Sequence, residues 1–257
     1  MSYAGIARAI VFYLFVAFVV FYLSPTGPYF SYPILVLASL LFVLIADVRV
    51  RPGNPLPGSI VGLLAISAIF ALMLAIGSVT VTGTSSGLAA ILASGVVLQV
   101  LVACGEEMAF RGYILGDLRS DLSPRAAIIL SSVGFGLLHM HSMSLLGVSP
   151  ASAAIGLTTI TAAGALLGII CLRWGLLSAI GFHFFWNFLQ YDIFGLGRQG
   201  EFPSLVNLSR TGNLLLTGGE YGPEASLPGL AVVLITLGVV WYYFYMHKTD
   251  KSNPHEG

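Results

Sequence analysis

Charge is what this chain has least of. Asp, Glu, Lys and Arg make up only 9% of its 257 residues, against about 25% in a typical soluble domain. Hydrophobic residues account for 57%, and the mean hydropathy is +0.92. That balance excludes an ordinary soluble domain and reads as an integral membrane protein. Formal net charge is zero, so no basic surface for nucleic acid is expected. Cysteine is nearly absent too. Cys104 and Cys171 both sit in apolar runs, which excludes a disulfide framework or a CxxC metal site and suits small buried hydrophobes. Also missing are a GxSxG nucleophile elbow, a Ser–His–Asp set and an HExxH helix.

Apolar runs are what the chain has in excess. A bilayer-spanning helix needs about 20 mostly apolar residues. By that rule helices are expected near 6–23, 32–48, 58–79, 88–118, 125–142, 151–172, 175–194 and 227–246. The first run lacks a small-x-small cleavage site and reads as a membrane helix rather than a leader. Stretches such as "RVRPGNPLPG", "TVTGTSSG" and "DLRSDLSP" carry turn chemistry and separate the runs. The expected fold is all-α: a polytopic membrane helical bundle of about eight transmembrane helices, without an internal inverted repeat. It forms a single membrane domain over residues 1–257. The fourth run is too long for a simple crossing, so it tilts or continues past the interface.

The basic residues suggest an orientation. Arg8, Arg49, Arg51, Arg119, Arg125, Arg173, Lys248 and Lys251 fall at alternate loops or termini, and 24–31, 80–87 and 143–150 hold no Lys or Arg. The positive-inside rule then places both termini in the cytoplasm of a multi-pass protein of the plasma (inner) membrane. Loop 195–226 breaks the trend with Arg198 and Arg210, accompanied by Glu201, Glu220 and Glu224. Its length and its Gly and Pro content fit either a lid or rim on the outer face or a plain connection.

Against this background the polar side chains inside helices stand out. A charge at the bilayer centre costs about 2.5–3.5 kcal/mol, so such groups are kept where they face a cavity, pair and function. In "CGEEMAFRGY", Glu107 and Arg111 are four apart and can pair on one face. Glu106 lies about 100° around the same turn and needs a different partner. In "FGLLHMH", Phe135 and His139 share a face; in "HFFWN", His183 and Asn187 do. Each set has a bland reading as well: an interfacial ion-pair network, a packing histidine, or hydrogen bonds between helices. Measured at 1.5 Å rise from the basic helix ends, Glu106 and His139 lie about 20 Å deep, with His183 and Asn187 at about 13 and 19 Å. Three helices thus deliver polar groups to a similar level, as a shared cavity requires. A carboxylate and a neutral imidazole can hold a water that attacks a carbonyl. A second His and an Asn suit the resulting oxyanion.

The segments "EEMAFR", "FGLLH" and "HFFWN" resemble the EExxxR, FxxxH and HxxxN signatures of the CAAX prenyl endopeptidase and bacteriocin-processing (CPBP) family, in the same order. "LTGGEYGPEASLPG" resembles the tail of many bacterial members. The resemblance covers about 88–230, which it marks as a catalytic core; 1–87 carries no such signal. It implies an eight-helix intramembrane endopeptidase, with Glu106 as general base, His139 helping to hold the water, and His183 and Asn187 as oxyanion donors. Glu107, Arg111 and Phe135 take supporting roles. It implies a membrane-embedded or lipid-modified protein substrate, cut near its C-terminus as in CAAX or sorting-signal processing, and no cofactor. Zinc on Glu106, His139 and His183 is the alternative, since two His and one carboxylate suit a catalytic zinc. A proton-coupled transporter using the buried Glu and His groups and a non-catalytic scaffold are the rival readings.

Overall fold

The computed structural model describes residues 3–23, 27–197 and 203–249. Arg198, Glu201 and Lys251, used above for orientation, lie outside the described residues. Helix α1 (Ala4–Phe18) runs into a π-helical turn, Val19–Leu23, and is followed by α2 (Pro28–Ile45) and α3 (Pro55–Ala75). Strand β1 (Val79–Thr84) precedes α4 (Leu88–Glu107), which continues through a π-helical stretch, Met108–Ile114, into α5 (Leu115–Asp121). Then come α6 (Pro124–Leu145), α7 (Pro150–Trp174) and α8 (Leu176–Asn187), the last extended by a π-helical stretch, Phe188–Ile193. Strand β2 (Val206–Arg210), the short α9 (Leu214–Thr217), a 3-10 turn (Pro223–Ala225) and α10 (Leu227–Thr249) complete the order.

Local chemistry explains the helix starts. Three helices open on a capping residue followed by proline: Asn54–Pro55, Ser123–Pro124 and Ser149–Pro150. The cap oxygens accept from the backbone N–H groups of Leu56, Ala126 and Ser152. Proline's missing N–H costs nothing there, because the first helical turn has no partner for it.

Seven helical segments among the described residues are long and apolar enough to cross a membrane. The segment expected at 175–194 is present as α8 and its π extension. Large apolar side chains such as Leu14, Leu44, Ile235 and Val239 are exposed on helix surfaces, as a lipid solvent permits. The overlong fourth run proves to be one continuous helical segment, Leu88–Asp121. Its middle is π-helical, and every residue from Ala109 to Ile114 is buried.

One element departs from the all-helical expectation. Strand β1 takes the end of the helix expected over 58–79 and the first part of the turn expected over 80–87, and pairs antiparallel with β2 in the register Val79↔Arg210 to Thr84↔Val206 with a bulge between Val81 and Gly83. Alternating Val and Thr favour the pleat, but the partner lies more than 120 residues away, beyond any local pattern. This ribbon closes one end of the bundle.

Two apolar clusters flank the interior. One gathers Phe12, Phe110, Tyr113 and Phe135 from α1, the π stretch after α4, and α6. The other gathers Ile66, Ile69, Phe182 and Trp186 from α3 and α8. α3 and α8 meet at backbone distance, because Gly58 and Gly62 leave no room for a Cβ against Ser178 and Phe182. The polar side chains lie between the clusters.

Candidate active site

Glu106, Phe135, His139, His183 and Asn187 line one cavity of about 570 Å³. The sequence-predicted set is therefore brought together from α4, α6 and α8. A smaller, mostly apolar cavity of about 300 Å³ lies beside it, and Glu106, His139 and Phe135 line that one too. The acid and the imidazole thus stand on the wall common to both.

Glu107 and Arg111 sit behind this wall. Their side chains are buried, and Arg111 Nη1 donates to Glu107 Oε1 at 3.0 Å, the i,i+4 pairing expected from spacing. Arg111 Nη2 donates to the Gly164 carbonyl on α7 at 3.1 Å. The guanidinium carbon lies 4.4 Å from the centre of the Phe135 ring, so Phe135 supports Arg111 through a cation–π contact. The same carboxylate oxygen of Glu107 also accepts from His183 Nδ1, at 2.8 Å, a contact the sequence did not reveal. Glu107 therefore ties α4 to α8.

Hydrogen-bond partners fix the imidazole tautomers. His139 Nδ1 lies 2.8 Å from the Phe135 carbonyl, which can only accept. The proton is on Nδ1, and a neutral His139 keeps a lone pair at Nε2. His183 likewise carries a proton on Nδ1, facing Glu107, and its Nε2 lies 3.9 Å from Glu106 Oε2.

Several lining residues were not anticipated. The Tyr32 hydroxyl on α2 donates to Glu106 Oε1 at 3.0 Å. Tyr191, Tyr221 and Glu224 line the larger cavity. Glu224 accepts from Trp186 Nε1 at 3.2 Å and from Gln190 Nε2 at 3.0 Å, which places residues 220–224 of the long loop on the cavity rim. Burial pushes the Glu224 carboxyl above its ordinary value, opposed by its hydrogen bonds, and burial pushes the Tyr221 phenol up as well. Glu224 had a signal in "GEYGPEASLPG". Tyr32 had none, since a tyrosine near a helix start reads as an interfacial aromatic.

Gln99 Nε2 donates to Asp192 Oδ2 at 3.1 Å, both side chains buried, pinning α4 to the π stretch after α8. Arg210 on β2 donates to the carbonyls of Leu196, Gly197 and Gly219, which gathers the loop over the cavity. Burial lowers its guanidinium's pKa.

All three motif helices fall within one family match. Residues 88–189 match the model of the type II CAAX prenyl endopeptidase Rce1-like family. The CPBP resemblance is borne out over that span. The Rce1-like region runs from α4 to the beginning of the π stretch after α8, so it contains every site residue expected from sequence. Tyr32, Tyr191, Tyr221 and Glu224 lie outside it. The seven apolar helical segments fit a multi-pass membrane protein, and residues 88–189 are similar to a CAAX protease family, a family of peptide hydrolases. No curated protein matches the chain.

Proposed function

We propose that this protein is an intramembrane endopeptidase that cuts a peptide bond with a glutamate-activated water. One observation carries the reading: the carboxylate of Glu106, the tautomer-fixed imidazole of His139 and the Glu107-bound imidazole of His183 line one cavity. A water donating one hydrogen to Glu106 and the other to His139 Nε2 has its lone pair free for a carbonyl carbon.

The water oxygen bonds to the carbonyl carbon while Glu106 takes its proton. The oxyanion is held by Asn187 Nδ2–H and by His183, whose Nε2 must carry a proton for that role. With it, Glu106, Glu107, Arg111 and His183 sum to zero charge, which suits a cluster shielded from water. Collapse breaks the C–N bond, and the proton on Glu106 passes to the leaving amine.

Zinc remains the other way to use these side chains. Among the described residues no three of His, Cys, Asp or Glu are spaced to hold a metal ion, so no step is assigned to one. The family match supports the proposed substrate class, a membrane-associated or lipid-modified protein cut near its C-terminus.

Purified protein in nanodiscs, assayed on an internally quenched peptide ending in a farnesylated CAAX box, tests the reading. Glu106→Ala and His139→Ala are expected to abolish cleavage while thermal midpoints hold. Asn187→Ala is expected to lower kcat by about 10²–10³. Chelator is expected to leave the rate unchanged; a loss restored by zinc would transfer the mechanism to the metal.

A further inference from the structure

Glu106 receives a hydrogen bond from outside the Rce1-like region. The donor, the Tyr32 hydroxyl, stands 3.0 Å from Oε1. It reaches there because the residue before the acid has no side chain. A Cβ on Gly105 would lie 2.8 Å from Tyr32 Cδ1 and 3.5 Å from Tyr32 Cβ, so the tyrosine rests directly on the α4 backbone. Tyr32 also lines both cavities, on the wall they share with Glu106 and His139. Ser142 lines both cavities as well, while His183, whose Nε2 is 3.9 Å from Oε2, lines the larger one with Asn187, Tyr191 and Tyr221.

We infer that Tyr32 is a positioning residue for Glu106: by holding Oε1 it fixes the carboxylate rotamer and leaves Oε2 as the oxygen that takes the proton from water. This rests on the reading of Glu106 as base. A carboxylate on a helix rotates about its χ angles, and each misplaced rotamer is an unproductive complex. A charge-assisted hydrogen bond on one oxygen selects a single rotamer. The first helices of the chain thereby become part of the site, and the Gly before the acid becomes the slot that admits the tyrosine.

Tyr32→Phe keeps the ring on Gly105 and removes only the donor. On the farnesylated CAAX peptide its kcat is expected to fall at least about 10-fold, the scale of one hydrogen bond to a charged group, with KM and thermal midpoint unchanged. Gly105→Ala displaces the ring and is expected to lower kcat similarly. The Gly105→Ala/Tyr32→Phe double variant is expected to be no worse than either single variant, because both remove one contact. A role in packing alone predicts a silent Tyr32→Phe and a damaging Gly105→Ala, and that pattern overturns the inference.

A second readout needs no turnover. The infrared carboxylate stretches lost in Glu106→Gln isolate the Glu106 band, and Tyr32→Phe is expected to shift it; an unmoved band overturns the inference. If Glu106→Gln cuts the peptide at the wild-type rate, the base assignment falls, and the band still decides whether Tyr32 holds the carboxylate. If wild-type protein leaves the peptide uncut, the band alone decides.

Discussion

Glu107 Oε1 accepts from both Arg111 and His183, while its Oε2 is buried without a partner among the described residues. Its charge balances a guanidinium that is itself buried. Glu107→Gln keeps the shape and an acceptor oxygen but strands Arg111, and losing one partner of a buried pair costs about 3–5 kcal/mol. A large drop in the thermal midpoint is expected, alongside reduced activity through His183; an unchanged midpoint would contradict the role. Glu224 offers a pH test on the cavity rim. Burial raises its carboxyl in the fold, so the folded state binds that proton more tightly than the unfolded chain. The associated stability is full below the ordinary glutamate range and is lost as pH rises through the raised value. Glu224→Gln removes this dependence, and the Gln190 amide can turn its Oε1, which has no partner among the described residues, towards the new donor. The variant's midpoint relative to wild type is therefore expected to rise from pH 4 to pH 8. Individual residues were legible where spacing along one helix decides contact, as for Glu107 and Arg111. They were not where the partner is remote: Tyr32 is 74 positions from Glu106.

Each motif helix also depends on its neighbours' shape. α8 carries His183 and Asn187, and it is held against α3 because Gly58 and Gly62 present bare backbone to Ser178 and Phe182. Gly181 returns the favour, since a Cβ there would meet Ser59 and Pro55 of α3. Small residues four apart allow such approach between membrane helices. Gly62→Leu is expected to push α8 away, moving His183 off Glu107 and removing cleavage while the protein still inserts; retained activity would show that α8 needs no such support. The helices themselves were visible as apolar runs, and the capped starts as Asn–Pro and Ser–Pro pairs. The β1–β2 ribbon and the π-helical stretches after Glu107 and Asn187 were not visible. Strand pairing and an extra residue in a helical turn are settled by tertiary contacts, which override local preference.

For the whole molecule, the larger cavity is rimmed by Tyr191, Glu220, Tyr221 and Glu224, from the chain that carries the ribbon at one end of the bundle. The basic loops that the positive-inside rule assigns to the cytoplasm hold Arg49, Arg51, Arg119 and Arg125. We propose that the site lies nearer the outer face. In a cysteine-free background, an impermeant maleimide is expected to label Ser86→Cys in intact cells and to spare Arg49→Cys; the reverse pattern would invert the topology. Composition alone announced the apolar membrane-type helices, and three short motifs announced the family match over residues 88–189. The course of loop 203–226 over the cavity follows from contacts such as Arg210 to the Leu196, Gly197 and Gly219 carbonyls, which no spacing rule foretells.

The partition shared by the two chambers has a mechanical corollary. Under the proposed mechanism, a polypeptide threaded through both would be severed at the doorway, and the new carboxylate and the new amine would begin life in different rooms. Religation would then require one fragment to travel back through the threshold, and the architecture itself would discourage the reverse reaction.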